Sequence, residues 1–234
     1  MTALLLATRN AHKALEIQQI LGADFKYLTL RDFPGEPLVV EDGDTFSANA
    51  AKKADALAAW LSAHPKLALD RLPSAETPIC VVADDSGLEV DGLGGAPGVH
   101  SARFAAMDVG GAGNSPDAAN NAKLLRLLEK VPPSGRTARF RCVLAVRKLL
   151  YSASARKLLV LPSPSALQFE GACEGRISAR PSGQGGFGYD PLFIPEGFIQ
   201  SFAELGDEAK NTLSHRALAL QKLRQFLAPN RHFS

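Results

Sequence analysis

The sequence predicts a mixed α/β fold, in which a central set of longer strands is flanked by helices near both ends of the chain. Short apolar runs, typical of strands buried on both faces, alternate with longer stretches whose apolar residues recur at helical spacing. The strand-like runs in the second half of the chain are longer and have the alternating or β-branched pattern of antiparallel strands. No internal repeat or low-complexity tract interrupts this pattern.

The chain begins with a predicted strand, a tight loop and a helix. The apolar run Leu4–Ala7 predicts a buried strand, and Thr8-Arg9-Asn10 then leads into a helix over Ala11–Leu21. Asn10 is a favourable N-cap for this helix, and Gly22 is a favourable residue for its end.

A second helix and a second buried strand follow. Thr45 is placed to cap a helix whose apolar stripe reaches Leu61. The segment Ser62–Pro78 is rich in Ala, Pro and Ser, and we expect it to be a surface connection. Ile79–Ala83 predicts the next buried strand, which gives way to Asp84-Asp85-Ser86-Gly87.

The remaining elements are predicted from capping residues, strand-like runs and glycine-rich segments. Ser115 as a cap, Pro116 at the first helical position and Asp117 as an acid open a helix that reaches Lys130. The other predicted elements are strands over Arg139–Leu150 and Leu158–Gly175, loops over Gly92–Gly98, Ser152–Lys157, Pro162–Ser165 and Gly183–Gly188, and a last helix over Asn211–Leu227.

The composition excludes several classes of protein. The 234 residues include 26 Lys and Arg against 24 Asp and Glu, and a net charge of +2 excludes a nucleic-acid-wrapping protein. A hydrophobic content of 46% excludes a disordered chain, and no apolar run approaches the length of a membrane span. The three cysteines form no CxxC pair, and the N-terminus lacks the pattern of a signal peptide. We therefore expect a cytoplasmic protein with reduced, buried thiols and with neither a membrane nor a nucleic acid as partner.

The first polar cluster comprises Thr8, Arg9, Asn10 and Lys13. The start of a helix presents unpaired backbone N–H groups and a partial positive charge, which together favour a phosphate. Lys13 lies one turn into the helix, from where its ammonium group can reach the same anion. The alternative is that Asn10 only caps the helix and Lys13 is a solvated side chain.

A second cluster combines the acidic segment Glu41–Asp44 with Asn49 and Lys53. Three acids in four residues are usual in a solvated turn, but Glu41 is also suited to hold a hard cation. Asn49 and Lys53 are four residues apart on a predicted helix, so they share a face that suits a phosphate contact.

The third cluster, Asp84 and Asp85, follows an apolar strand. Burying two acids without a cation is costly, which favours a functional pair that binds Mg²⁺ or activates a water. Neighbouring side chains of an extended chain point to opposite faces, so we expect only one of the two to enter the pocket.

The fourth cluster joins a glycine-rich loop to the start of the last helix. Glycines on both sides of Phe187 would let a flat ligand approach its ring, although a lone aromatic residue in such a loop can equally be a packing anchor. Lys210, His215 and Arg216 form a donor set for an anion or the edge of a base. The basic segment Arg136–Lys148 holds five Lys and Arg residues and no acid, so the charges of the chain are unevenly distributed.

Taken together, the four clusters predict a magnesium nucleotide site, and their motifs are similar to those of one family. TRNxxK, ADDSGLEVDGLGGAPGVHSAR, GGFGYDPLF and EAKNTLSHRALAL resemble the Ham1/RdgB family, the inosine/xanthosine triphosphate pyrophosphatases. These motifs run from Thr8 to Leu220 in the order of the family. Arg9 stands where many members of the family have glycine. Two segments, Ser62–Pro78 and Leu150–Ser165, are longer than the corresponding segments of the family and less similar to them.

The resemblance implies a homodimeric, Mg²⁺-dependent enzyme that hydrolyses ITP, dITP and XTP to the monophosphate and pyrophosphate. It implies one domain over residues 1–234, with an elongated mixed sheet, flanking helices and two lobes around a central nucleotide cleft. Glu41 and Asp85 would bind Mg²⁺, with Asp85 as the proton acceptor for the attacking water. Arg216 or His215 would donate to O6 of the purine. Together, the polar clusters and the resemblance predict these substrate-binding residues: Thr8, Arg9, Asn10, Lys13, Lys53, Ser86, Phe187, Gly188, Tyr189, Asp190, Lys210, His215 and Arg216.

Two other functions are compatible with parts of the pattern. The Maf-like nucleotide pyrophosphatases have a related architecture and prefer other bases. A catalytically silent nucleotide-binding module would have no need of the carboxylates at Glu41 and Asp85, so their presence favours an enzyme.

Overall fold

In the part of the chain that the structure describes, seven strands form one mixed sheet flanked by helices, which confirms the predicted fold class. The computed structural model describes residues 1–111, 113–155, 157–163 and 165–228. The strands are β1 Thr2–Leu6, β2 Phe25–Thr29, β3 Ile79–Val90, β4 Thr137–Ser152, β5 Lys157–Val160, β6 Leu167–Ile177 and β7 Phe193–Pro195. The helices are α1 Ala11–Leu21, α2 Phe46–Ala63, α3 Pro65–Leu69, α4 Asp117–Leu127, α5 Phe202–Leu213 and α6 His215–Leu227.

The strand order is β2-β1-β3-β4-β6-β7, and β5 pairs with β4. β1 runs parallel to β2 and to β3, with Leu5 opposite Leu28 on one side and Val81 on the other. β5 is antiparallel to β4, and β7 is antiparallel to β6. The sheet is therefore mixed, with its parallel part built from the first three strands.

The chain divides into two compact units. Unit 1 comprises residues 1–85, 143–169 and 219–234, and unit 2 comprises residues 86–142 and 170–218. Positions 229–234 of unit 1 lie outside the described residues, as do positions 156 and 164 of the two loops predicted between β4 and β6.

The start of unit 1 confirms the predicted strand, loop and helix. Residues 3–6 of β1 are fully buried, as expected for a strand in the middle of a parallel sheet. Asn10 caps α1 through its side-chain oxygen, which accepts from the backbone N–H groups of His12 and Lys13. Gly22 ends the helix with a φ of 74°, a conformation that favours glycine.

The strand predicted over Ile79–Ala83 is longer than expected. β3 continues to Val90, so Asp84 and Asp85 lie inside the strand and not after its end. The prediction was wrong here because acidic residues and glycine usually end a strand, whereas these two acids are compensated by lysines of unit 1.

Several helix boundaries also differ from the prediction. α4 begins at Asp117 after Pro116 and ends at Leu127; Ser115 is not its cap, because its hydroxyl accepts from the N–H of Ala106. The single last helix is two helices, since Asn211 belongs to α5 and the chain is extended at Ser214 before α6. The short elements β2, α3 and β7 were not predicted, and α3 lies inside the expected surface connection 62–78.

Two arginines of the basic segment 136–148 form ion pairs with acids of unit 2. Arg139 is paired with Asp91 and Glu174, and Arg141 with Glu170. All three cysteines are free and buried, as expected. No helix among the described residues is long and apolar enough to cross a membrane.

Candidate active site

Unit 1 brings together two lysines and three acids that are far apart in sequence. Lys13 of α1 donates to the carboxylate of Asp84, with 2.5 Å between Nζ and Oδ1. The Asp84 side chain is only 1% exposed, so this pair is shielded from water. Lys13 is therefore not a solvated helix residue, which was the alternative expectation.

Lys53 of α2 contacts the other two acids. Its Nζ lies 3.1 Å from Oε2 of Glu41 and 3.2 Å from Oδ1 of Asp85, and it donates to the backbone oxygen of Asp84 at 2.8 Å. Adjacent acids of β3 thus pair with different helices, Asp84 with α1 and Asp85 with α2. This separation follows from the alternation of side chains along a strand.

Burial and charge set the protonation of the two acids around Lys53. Burial raises the pKa of Asp85 from 3.8 to about 6, against the opposing charges of Lys53 and Lys13, and the Glu41 carboxylate adds to the rise. Burial also raises the pKa of Glu41, but the charge of Lys53 and other contacts outweigh it and leave that pKa below its ordinary value. The cluster therefore contains one acid that is readily ionised and one whose proton affinity is close to that of a catalytic base.

The carboxyl groups of Asp85 and Glu41 also share a side-chain hydrogen bond, which raises the pKa of Asp85 and lowers that of Glu41. Oδ2 of Asp85 is buried and receives no hydrogen bond from an N–H or hydroxyl group of the described residues. Buried carboxylate oxygens are normally hydrogen-bonded, so an oxygen of this kind indicates a position for a proton, a water or a cation.

The loop before α1 has less donor capacity than its sequence indicates. The side-chain oxygen of Asn10 already accepts two of the first N–H groups of the helix, and the N–H of Asn10 itself donates to Oγ1 of Thr8 at 3.1 Å. Arg9 is exposed and pairs with Glu36 at 2.6 Å. A cavity of about 580 Å³ opens beside this loop, lined by Thr8, Arg9 and Asn10, by α1 and by residues of the segment 29–36.

Asn49 has a structural role. Its amide accepts from the N–H of Gly43 at 2.8 Å and donates to the carbonyl of the same residue at 3.2 Å. A side chain at position 43 would collide with this amide, so Gly43 permits the close approach. The phosphate contact predicted for Asn49 gains no support, because its buried amide holds the acidic segment beside α2.

In unit 2, the buried ion pair between Lys210 and Asp190 contacts the backbone of the glycine-rich segment 185–190, the Phe187 loop. Oδ2 of Asp190 accepts from Nζ of Lys210 at 2.6 Å and from the backbone N–H of Phe187 at 2.8 Å. The side chains of Asp190 and Lys210 are only 2% and 4% exposed. The ammonium group of Lys210 also lies 4.2 Å from the centroid of the Phe187 ring, within range of a cation–π contact.

The remaining predicted residues of unit 2 lie around this loop or in the core. Arg216 is 1% exposed and donates to Oγ of Ser86 at 2.9 Å, with its guanidinium 5.9 Å from the Phe187 ring. His215 stacks on Phe140 at 4.8 Å between ring centroids. The hydroxyl of Tyr189 is buried and donates to the carbonyl of Ser101 at 2.8 Å. The contacts of His215 and Tyr189 place both rings in the packing of unit 2, and a role for them toward a ligand stays a prediction.

Sequence reasoning missed two residues of α4 that hold the same loop. Asp117 accepts from the N–H of Gly188 at 2.7 Å, and the amide of Asn121 donates to the carbonyl of Gly188 at 3.0 Å. Their spacing of four residues indicated a shared helix face, but nothing in the sequence indicated a partner about 70 residues away.

The acids of unit 1 are suited to hold a cation together with a ligand. Among the described residues, no group of three or more His, Cys, Asp and Glu side chains is close enough to enclose a metal ion. Glu41 and Asp85 remain as a pair on one ammonium group. Two carboxylates without a closed cage are typical of a cation that also binds phosphate oxygens and water.

Comparison with known proteins gives one consistent result. The model of the Ham1 family matches residues 4–226. A dITP/XTP pyrophosphatase of Desulforamulus reducens is 45% identical over 225 residues, which cover 96% of this chain and 94% of the relative. One from Geobacter sulfurreducens is also 45% identical, over 228 residues and 97% of both chains. The solved structure of a HAM1 protein from Coxiella burnetii has a TM-score of 0.73 and 33% identity, and covers 97% of this chain and 98% of the other.

Proposed function

The chain belongs to the Ham1 family, and from this premise we propose that it is a dITP/XTP pyrophosphatase. It hydrolyses dITP, ITP and XTP to the nucleoside monophosphate and pyrophosphate, and so removes deaminated purine nucleotides from the nucleotide pool. The observation that supports this proposal best is Asp85, a buried acid whose pKa is raised to about 6 and whose Oδ2 receives no hydrogen bond from an N–H or hydroxyl group of the described residues.

The proposed reaction is attack by water on the α-phosphorus. As the new bond forms between the water oxygen and the phosphorus, Asp85 accepts a proton from the water. The bond between the α-phosphorus and the bridging oxygen breaks, and the electron pair leaves with pyrophosphate. Lys13 and Lys53 stabilise the negative charge that develops on the phosphates. Their ammonium groups are already in place for this, because they lie beside Asp84 and Asp85.

Mg²⁺ is the cation that we assign to Glu41 and Asp85. Glu41 and Asp85 fit this ion, because Mg²⁺ prefers carboxylate oxygens and the two side chains lie on one ammonium group. Its remaining ligands would be phosphate oxygens and water, since no closed group of three acids is present among the described residues. When bound, Mg²⁺ would neutralise phosphate charge and so make pyrophosphate a better leaving group. Lys53 keeps the two carboxylates near each other before substrate binds.

The substrate is assigned to the predicted residues by their chemistry. The phosphates are bound by Thr8, Asn10, Lys13 and Lys53. Arg9 leaves its contact with Glu36 and binds the outermost phosphate. Phe187 stacks on the purine, and Ser86, together with the loop residues Gly188, Tyr189 and Asp190, completes the site. Lys210, His215 and Arg216 surround the base edge, with Arg216 donating to O6. An adenine would leave this donor unpaired, which explains a preference for 6-oxo purines.

Three further properties are proposed on the resemblance to the family. The chain forms one Ham1-type domain, the enzyme is a homodimer, and it works in the cytoplasm. Analytical ultracentrifugation tests the dimer, which requires a sedimenting species of twice the chain mass of 24.8 kDa.

A substrate panel tests the activity. The purified chain is incubated with Mg²⁺ and dITP, XTP, dATP, dGTP, dUTP or TTP, and the products are separated by ion-exchange chromatography. We expect monophosphate and pyrophosphate from dITP and XTP, with kcat/KM at least about 100-fold above that for dATP. Preference for a pyrimidine would favour a Maf-like activity, and absence of hydrolysis with retained binding would favour a silent binding module. Either result contradicts the proposal.

A further inference from the structure

Two side chains of α4 hold the backbone on both sides of Gly188, next to the ring that we assign to base stacking. Asp117 accepts from the N–H of Gly188, in the peptide that links it to Phe187. Asn121 donates to the carbonyl of Gly188, in the peptide that links it to Tyr189. Each peptide unit that flanks Gly188 is therefore fixed by one residue of the same helix face.

The loop needs such contacts because its backbone is unusually free to rotate. Gly186 and Gly188, on either side of Phe187, have φ values of 73° and 62°. Glycine reaches both signs of φ at little cost, so Phe187 lies between two positions at which the chain can change direction. Asp190 holds the N–H of Phe187 from one side, and α4 supplies the contacts on the other.

The two α4 residues differ in burial, since Asn121 is buried and Asp117 is exposed, so a variant at Asp117 disturbs the packing of unit 2 less. Asn121 is 8% exposed, and its side-chain oxygen is buried without a hydrogen-bond partner among the described residues, while its NH₂ group faces Gly188. Asp117 lies on the exposed surface of unit 2. The neighbouring Asn120 is also buried, but it bonds to the N–H of Ala105 and the carbonyl of Ala102.

From this geometry we infer that Asp117 and Asn121 are positioning residues for base recognition. They hold the Phe187 loop in one conformation before the nucleotide binds, so that binding does not have to order it. Preorganisation of this kind strengthens binding without contact to the reacting phosphate. The inference deepens the proposed function and rests on it, because it takes Phe187 as the residue that stacks on the purine.

The test compares Asp117→Ala with Asp117→Asn. The alanine variant cannot accept from the N–H of Gly188, whereas the amide oxygen of asparagine can. For Asp117→Ala we expect KM for dITP to rise about tenfold with kcat within about twofold of the wild type, and Asp117→Asn to restore most of the loss. Isothermal titration with IMP should show the same rise in Kd, while inhibition by inorganic tripolyphosphate, which has no base, should keep its Ki.

Asn121→Asp provides a second variant of nearly identical shape. It replaces the NH₂ donor by an oxygen that faces the carbonyl of Gly188, so the contact becomes repulsive, and we expect a larger rise in KM. Asn120→Asp is the matched control, because it breaks the same kind of buried bond from the same helix to a different segment. It should lower Tm without changing the Kd for IMP. If Asn121→Asp does not fold, the exposed Asp117 variants decide the question.

Two results would overturn the inference. One is an Asp117→Ala enzyme with unchanged KM and unchanged IMP affinity. The other is a loss of tripolyphosphate binding equal to the loss of IMP binding, which indicates general damage to the fold. A wild-type chain that neither hydrolyses dITP nor binds IMP would instead contradict the proposed function.

Discussion

The cluster of Lys13, Lys53, Glu41, Asp84 and Asp85 in unit 1 and the Phe187 loop of unit 2 both contain buried ion pairs, but the acids in these pairs differ in their hydrogen bonding. In unit 2 a single oxygen of Asp190 receives both Lys210 and the backbone of the loop. In unit 1 Lys53 is shared between two acids, and Oδ2 of Asp85 receives no hydrogen bond from an N–H or hydroxyl group of the described residues. The first arrangement fixes a conformation, whereas the second has capacity for a proton or a cation.

This difference is the basis on which we propose that Asp85 takes part in the reaction and that the Phe187 loop recognises the base. A fully compensated ion pair changes little when a ligand arrives, so it suits recognition by a rigid surface. A buried acid with a raised pKa stores unfavourable free energy that a reaction can use. Variants of the two clusters should therefore affect different kinetic parameters.

The largest effect is expected for Asp85→Asn. The amide cannot accept the proton of the attacking water, so kcat should fall by about 10³-fold while the ratio of kcat/KM for dITP over dATP stays within about threefold. Steady-state rates of pyrophosphate release measure both quantities. Asp42→Asn is the matched control, because Asp42 belongs to the same acidic region but is exposed and pairs with Lys52. Full activity of Asp85→Asn would remove the basis for placing the chemistry in unit 1.

A smaller but more specific effect is expected for Arg216→Ala. Loss of the donor to O6 should lower the preference for dITP over dATP by about 10- to 100-fold, with the dependence of the rate on Mg²⁺ concentration unchanged. The measurement is kcat/KM for both nucleotides across a magnesium titration. Arg136→Ala serves as control, since Arg136 bonds to the carbonyls of Val131 and Leu128. Unchanged selectivity in Arg216→Ala would contradict the assignment.

The smallest effect concerns stability and pH. The pKa of Asp85 in the folded chain, about 6, lies above its ordinary value of 3.8, so the folded state binds this proton more tightly than the unfolded chain does. The free energy of unfolding therefore falls as the pH rises from about 4 to about 6 and stays lower above that range. Asp85→Asn has no such loss, and at pH 7.5 it should be more stable by on the order of 2 kcal/mol, or roughly 5 °C in Tm.

Thermal melts in EDTA test this at two pH values. The gain in Tm should be present at pH 7.5 and absent at pH 4, where the wild-type carboxyl is mostly protonated. The Asp42→Asn variant should show no such gain, because the pKa of Asp42 is lowered by its hydrogen bond with Lys52. An equal Tm for wild type and Asp85→Asn at pH 7.5 would mean that Asp85 stores no unfavourable free energy.

Much of unit 1 was predictable from the sequence because its signals are local. Asn10 and Gly22 mark the ends of α1, Thr45 marks the start of α2, and an unbroken apolar run marks β1. The grouping of Lys13, Lys53 and the acids of β3 was indicated by residue type and by the resemblance to a family. The pairing of Asp84 with a lysine of α1 and of Asp85 with a lysine of α2 depends on tertiary structure, which no local pattern encodes.

The parts that were not predicted depend on distant partners. β3 continues through Asp84 and Asp85 because lysines of α1 and α2 compensate the acids, which overrides their low strand propensity. The break at Ser214 has no glycine or proline to mark it. The α4 residues that hold Gly188 could not be found from spacing alone, because a side-chain bond to a backbone group has no sequence signature at the acceptor.

The most direct test of the central claim is hydrolysis of dITP in water enriched in ¹⁸O, with mass spectrometry of both products. We expect one ¹⁸O atom in the monophosphate and none in pyrophosphate, because water attacks the α-phosphorus beside Asp85. Label in pyrophosphate would place the attack on the β-phosphorus. Release of orthophosphate in place of pyrophosphate would place it on the γ-phosphorus, and either result would contradict the proposed reaction.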